Sequence, residues 1–163
     1  MREIVMNTGP VIALVAATGS LDWLGQVYRK VWIPFEVDVE LEKGGPDAPE
    51  QDALRNAGEC IEILKTASEL PLPLANELDP GEASVIQTAK SRDVSLVVID
   101  EKAGRRIARL HNLKVTGSVG VLIRARRMNL VGNLNVCIER MRNQGVWLSE
   151  EIIAKVRLME ETI

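Results

Sequence analysis

Several oxygen-bearing side chains in the first two thirds of the chain are of the types that hold a divalent metal ion. They are Asn7, Glu40, Glu82 and Asp100, with Glu101 directly beside the last of them. Carboxylate and amide oxygens are hard ligands that suit Mg²⁺ or Mn²⁺ rather than zinc. A bound ion of this kind can lower the pKa of a water molecule and polarise a phosphodiester. These residues therefore indicate phosphodiester hydrolysis, provided that the fold brings them together.

Each of these side chains also has a structural role open to it. Asn7 and Asp100 could cap the helices that follow them, because Asn and Asp are favoured N-cap residues. Glu82 falls in the first turn of a predicted helix, where the helix dipole favours an acid. Glu36 and Glu40 are four residues apart, and an exposed acidic helix face explains that spacing equally well. Only their positions in the fold can separate these alternatives.

A basic segment follows the acidic part of the chain. Residues 36–101 contain sixteen acids and five bases, whereas residues 102–138 contain eight Lys or Arg and no acid. The net charge of −3 does not itself suggest nucleic acid, but a segregated basic segment can still meet phosphates. A pair of solvated helices explains the same charge. The residues that we expect to contact a nucleic-acid backbone are Lys102, Arg105, Arg106 and Arg109.

Short apolar runs alternate with helical patterns and predict the elements that position these side chains. We expect strands near residues 3–6, 31–33, 61–64, 96–99 and 114–115. The alternation is typical of right-handed crossovers in a parallel sheet with helices on both faces. The carboxyl ends of such strands lie along one edge, where ligands bind. Asn7 and Asp100 then belong to that edge, and Glu40 and Glu82 lie on helices that could lean over it.

The 163 residues are predicted to form one α/β domain, a three-layer α/β/α sandwich with a central five-stranded parallel sheet. Residues 1–130 are its core, and residues 131–163 are C-terminal helices that serve packing or an interface. The prolines at 71 and 73 predict a loop. No long uncharged apolar run and no apolar leader is present, so we expect a cytoplasmic protein without a membrane span.

Other chemistries find little support in the composition. Cys60 and Cys137 form no CxxC or His/Cys cluster, which argues against a zinc site. His111 is the only histidine, so a Ser–His–Asp triad is not credible. The turn at residues 116–120 is neither a Walker loop nor a GxGxxG motif. A flavodoxin-like domain with a small-molecule or phosphoacceptor site is therefore disfavoured.

Four segments, in their order and spacing, resemble the PIN-domain nucleases, in particular a PIN-like subfamily related to the VapC-type toxins. The segments are IVMNTGPVIAL at 4–14, IPFEVDVEL at 33–41, LDPGEASVIQTA at 78–89 and VVIDEKAGRRIA at 97–108. The resemblance covers roughly residues 3–130. It implies a five-stranded parallel sheet, a Mg²⁺- or Mn²⁺-dependent ribonuclease and often a homodimer. It also implies frequent pairing with a small antitoxin protein.

Matched position by position, the resemblance assigns the metal site to Asn7, Glu40, Glu82 and Asp100, with Glu101 able to substitute or assist. The small hydroxyl positions near the site are matched by Thr8, Thr116 and Ser118. Most active relatives carry Asp where this chain has Asn7. A carboxamide still offers an oxygen to a metal ion but removes one negative charge, so metal affinity should fall and catalysis could be weak or lost.

The leading hypothesis is a metal-dependent endoribonuclease, with the toxin of a toxin–antitoxin pair as one form of it. In this hypothesis, arginines of the basic segment hold the RNA backbone while water attacks phosphorus in line. The alternative is a catalytically weak or inactive PIN-like module that binds RNA or a protein partner, its metal site weakened by Asn7.

Overall fold

The computed structural model describes residues 1–163 and contains five strands: β1 (Glu3–Met6), β2 (Lys30–Ile33), β3 (Ile61–Ile63), β4 (Leu96–Val98) and β5 (Lys114–Thr116). All strand pairs are parallel, and the spatial order is β3-β2-β1-β4-β5. The predicted strands are confirmed to within one residue at each end. The five-stranded parallel sheet and the three-layer α/β/α architecture are confirmed with them.

Ten helices surround the sheet. They are α1 (Thr8–Thr18), α2 (Leu24–Val27), α3 (Phe35–Glu42), α4 (Pro49–Asn56), α5 (Leu72–Glu77), α6 (Pro80–Ser91), α7 (Lys102–Leu110), α8 (Ser118–Arg127), α9 (Leu134–Asn143) and α10 (Glu150–Thr162). The loop predicted from Pro71 and Pro73 is wrong, because α5 begins there. Pro73 lies in the first turn of that helix, where its missing N–H would have had no intrahelical partner.

The two central strands are buried on both faces, which explains their uninterrupted apolar sequences. Ile4, Val5 and Met6 of β1 are completely buried, and so are Val97 and Val98 of β4. Strands that are covered on both sides by helices have no solvent face on which a polar residue would alternate. The apolar core is therefore continuous through the sheet.

The strand order reverses between β1 and β4, and this point in the sheet positions the candidate site. Ile4 pairs with Leu96 and Met6 pairs with Val98, so the two strands end side by side. The Asn7 N–H continues the ladder with a 3.1 Å hydrogen bond to the carbonyl of Val98. In open α/β sheets, a crevice forms where the crossovers diverge in this way.

The last two helices pack on the core and on each other. Leu134, Cys137 and Met141 of α9 are buried, and α9 lies against α1. Glu160 of α10 accepts two hydrogen bonds from the Arg126 guanidinium at 2.8 and 3.1 Å through one oxygen. No helix is both long enough and apolar enough to cross a membrane.

Candidate metal centre and active site

The amino end of α6 gathers several of the predicted oxygen ligands. Asp79 caps this helix, and its Oδ1 accepts a 2.8 Å hydrogen bond from the Glu82 N–H. A Cβ added at Gly81 would lie 2.7 Å from Glu40 Oε2 and 3.5 Å from both Asn7 Oδ1 and Asp79 Oδ1. Three oxygen-bearing side chains therefore converge on one glycine, in space that only the absence of a side chain leaves open.

Thr8 links this group to helix α3. Its hydroxyl donates a 3.0 Å hydrogen bond to Glu40 Oε2, although the two residues are far apart in the chain. Thr8 is buried, whereas Glu40 lies on the exposed side of α3, which packs against both α1 and α6. The structure thus brings together the predicted ligands Asn7 and Glu40 and the predicted hydroxyl of Thr8.

Two buried oxygens at this edge have no hydrogen-bond partner: Asn7 Oδ1 and Glu82 Oε1. Their side chains are only 6% and 5% exposed. Buried polar atoms in folded proteins are nearly always paired, and an unpaired one costs about 1–3 kcal/mol. The orphaned oxygens are of the kind that a hard cation or a bound water would satisfy.

Glu82 is in an environment that disfavours its negative charge. Burial, a hydrogen bond with Glu101 and the nearby charges of Asp79 and Glu101 together raise the pKa of Glu82 to about 8. The Asp79–Glu82 backbone hydrogen bond only partly opposes this rise. A carboxyl whose pKa is raised by burial and like charges is a candidate for function. The pairing also brings Glu101 into the group.

Asp100 lies at the same edge but is held by a different element. Its Oδ1 accepts a 2.8 Å hydrogen bond from the Ser118 N–H, the first residue of α8. A Cβ at Gly117 would lie 2.7 Å from Asp100 Oδ1 and 3.1 Å from an Arg105 guanidinium nitrogen. The capping alternative is thus present in the structure, but the capped helix is α8 rather than α7, which directly follows Asp100.

A protein-family model that is described as a PIN domain matches residues 3–161. The chain is a member of the PIN-domain family. The match extends through α9 and α10, beyond the part of the sequence that carries the resemblance. Among curated proteins, the comparison found no match.

The fold of this PIN domain is of nuclease type, and PIN domains typically use divalent metal ions. No three His, Cys, Asp or Glu side chains lie close enough together to hold a metal ion by themselves. The oxygen-bearing side chains instead form two sets: Asn7, Glu40 and Asp79 lie around Gly81, and Glu82 lies near Glu101. Asp100 caps α8. The donors fit a hard cation in their chemistry, because all are oxygens and two of them are buried and unpaired.

Of the four basic side chains predicted to contact nucleic acid, three are exposed and one is hydrogen-bonded within the protein. Lys102, Arg106 and Arg109 are exposed on α7 and form no salt bridge. Arg105 is half-buried and donates a 2.8 Å hydrogen bond to the Ile99 carbonyl. Burial and the charge of Arg109 lower the pKa of Arg105, against the opposing charge of Asp100. Arg105 is therefore placed to hold the end of β4 rather than to reach into solvent.

The two remaining hydroxyl predictions have different outcomes, and two further residues come from the structure alone. Ser118 is buried beside Asp100, whereas Thr116 lines a separate cavity under α8. Sequence reasoning missed the roles of Asp79 and Gly81 at the site. Their signal is the Asp-Pro-Gly order, which supplies a helix cap, a first-turn proline and a residue without a side chain.

Proposed function

We propose that this PIN domain is a Mg²⁺- or Mn²⁺-dependent endoribonuclease. The observation that carries the proposal is the pair of buried, unpartnered oxygens, Asn7 Oδ1 and Glu82 Oε1, at the point where the sheet order reverses. The side chains that would hold the ion are Asn7, Glu40, Glu82 and Asp100, with Glu101 assisting through Glu82. When bound, the ion supplies Lewis-acid chemistry at a phosphodiester.

The chain's own residues have distinct roles in this proposal. Lys102, Arg106 and Arg109 bind the RNA backbone, since they are exposed cations on the helix that begins at the site. Glu82 holds a proton near neutral pH when no cation is bound, because burial and the neighbouring acids raise its pKa. Thr8 fixes the orientation of the Glu40 carboxylate. Asn7 supplies a neutral oxygen where a carboxylate would add charge.

The proposal includes the partners that the family resemblance implies: a small antitoxin, and a second copy of the chain. Either partner would bury apolar surface. The C-terminal region offers such surface in Trp147, which is 83% exposed, and Leu158 of α10, which is 65% exposed. A toxin role would show as growth arrest on expression of the wild-type chain and its absence with Asp100→Asn.

Cleavage of labelled single-stranded RNA in Mn²⁺ tests the enzymatic proposal. We expect cleavage that EDTA abolishes, and a loss of at least about 10-fold in Glu40→Gln and Asp100→Asn, since even outer-shell partners of a metal ion contribute 10- to 100-fold. Glu139→Gln is the matched control, because Glu139 is an exposed α9 residue without a hydrogen bond. Cleavage that persists in EDTA, or that all three variants reduce equally, would contradict the proposal.

A second candidate function is an inactive module that binds RNA. It is favoured by Asn7 in place of an acid and by the lack of three acidic side chains close enough to hold an ion. It predicts RNA binding without cleavage at any Mn²⁺ concentration. Binding should weaken as salt rises and should weaken further when Lys102, Arg106 and Arg109 are all changed to Gln.

A further inference from the structure

A second concave site lies at the opposite edge of the sheet. It is a cavity of about 470 Å³ that runs under helix α8, from the amino ends of the strands toward Thr116, the last residue of β5. Arg2 precedes β1, Tyr28 precedes β2, and Leu96 is the first residue of β4, so these lining residues stand at the amino-terminal edge. We refer to it as the amino-edge cavity. The predicted metal ligands take no part in it.

Positive charge is concentrated at the amino-edge cavity. Arg2, Arg124 and Arg127 all line it, whereas no acidic residue does. None of the three arginines forms a salt bridge, and each is exposed. Three neighbouring cations without a counter-charge repel one another, and arginine is the residue best suited to bind phosphate through several parallel hydrogen bonds. This cluster therefore has the chemistry to bind an anion with several oxygens.

Tyr28 adds a fixed polar group to the wall of the cavity. Its side chain is almost fully buried, and the Arg124 guanidinium lies 5.8 Å from the centre of its ring. Burial raises the pKa of Tyr28, although the charges of Arg124 and Arg2 oppose the rise. The hydroxyl therefore keeps its proton near neutral pH, so Tyr28 brings no negative charge to the cavity.

The remaining wall is apolar, which distinguishes the cavity from a simple basic patch. Leu96, Ile123 and Met128 line it together with the charged groups. Its volume falls in the range of roughly 300–1,000 Å³ that small-molecule sites occupy. A Cβ at Gly120 would collide with the Thr116 hydroxyl, so a glycine keeps this part of the lining open. A charged end and an apolar body together match a phosphorylated organic molecule better than a free anion.

We propose that the amino-edge cavity binds a small organic phosphomonoester, for which a nucleoside monophosphate is the probe. The phosphate lies among Arg2, Arg124 and Arg127, and the organic body contacts the wall formed by Leu96 and Ile123. This site is independent of the proposed nuclease function, because it shares no residue with the candidate metal centre and needs no divalent ion.

Calorimetric titration of the full chain in EDTA tests the proposal with three probes: adenosine 5′-monophosphate, adenosine and inorganic phosphate. We expect the monophosphate to bind at least about 10-fold more tightly than either fragment, since a hydrogen bond between charged groups is commonly worth a factor of ten or more. Arg124→Gln and Arg127→Gln should each weaken its binding by about 10-fold. The control Arg140→Gln removes the same charge from an exposed α9 position and should change nothing.

Each contrary result overturns a defined part of the proposal. Equal binding of inorganic phosphate and the monophosphate would exclude a role for the apolar wall. Equal binding of adenosine would exclude recognition of the phosphate. An equal effect of Arg140→Gln, or no binding of the monophosphate at all, would overturn the site. Because both cavity arginines on α8 are exposed and unpaired, their variants should fold, which circular dichroism checks.

Discussion

Replacing Glu82 by Gln should stabilise the metal-free protein at about pH 8.5 and have much less effect at about pH 5. The folded state holds a proton on Glu82 up to a pKa of about 8, whereas the unfolded chain releases it near the ordinary value of 4.5. Between these values the native state binds more protons than the unfolded state, so its stability falls as pH rises. Glutamine keeps the shape of the protonated acid and never ionises.

The structure sets the size of the effect. Each pKa unit corresponds to about 1.36 kcal/mol, so the two pKa values of Glu82 give an upper limit of about 5 kcal/mol. Glu101, whose charge contributes to the raised pKa of Glu82, is exposed to water, which screens that charge. We therefore expect a gain of about 2 kcal/mol at the higher pH, well below the upper limit.

Urea unfolding in EDTA at the two pH values measures this gain. The control is Glu139→Gln, which removes an exposed carboxyl that has no hydrogen bond or salt bridge. The control should show no difference between the two pH values beyond a few tenths of a kcal/mol, as surface changes usually do. A gain for Glu82→Gln that is equal at both pH values, or a loss that grows with pH, would refute the reasoning.

Two further predictions follow from the contacts around the site and the C-terminal helices. Gly81→Ala places a methyl group 2.7 Å from Glu40 Oε2, so the affinity for Mn²⁺ should fall by about 10-fold. The melting temperature should hold or rise, because Ala stabilises a helix by about 0.5–1 kcal/mol relative to Gly. Calorimetry that shows an unchanged affinity for Mn²⁺ would contradict this prediction. Glu160→Ala leaves the Arg126 guanidinium without its carboxylate, so amide hydrogen exchange in α10 should become faster. Glu161→Ala, at an exposed position, is the control and should not change the exchange. Equal exchange rates in both variants would show that the Arg126–Glu160 ion pair does not hold α10.

Most of the fold could be predicted because its strands are short, apolar and separated by helical patterns. The runs at residues 4–6 and 96–99 have no polar alternation, as expected for strands that are buried on both faces. The segment with Pro71 and Pro73 is the exception. Two closely spaced prolines are typical of a loop, but a proline in the first turn of a helix also loses no intrahelical hydrogen bond. The sequence alone does not distinguish a loop from a helix start here.

The sequence could place the candidate residues at one edge of the sheet, but it could not predict their contacts. Asn7 and Asp100 had to lie at one edge, because each follows a strand of a parallel sheet. The partner of each side chain depends on which distant helix begins nearby. The sequence therefore could not show that Asp100 caps α8, or that Glu82 pairs with Glu101. Thr116 illustrates the same limit, since it ends β5 beside Ile99 and yet lines the amino-edge cavity under α8.

Direct Mn²⁺ titration by calorimetry tests whether Asn7 and the neighbouring acids share one divalent ion. We expect the wild-type chain to bind one ion, with affinity that rises with pH as Glu82 loses its proton. Asn7→Asp should bind more tightly by about 10-fold, because it restores a negative charge at an unpaired buried oxygen, and Asp100→Asn should bind more weakly. A wild-type chain that binds no Mn²⁺ at any pH, or an Asn7→Asp variant that binds it no better, would contradict the account.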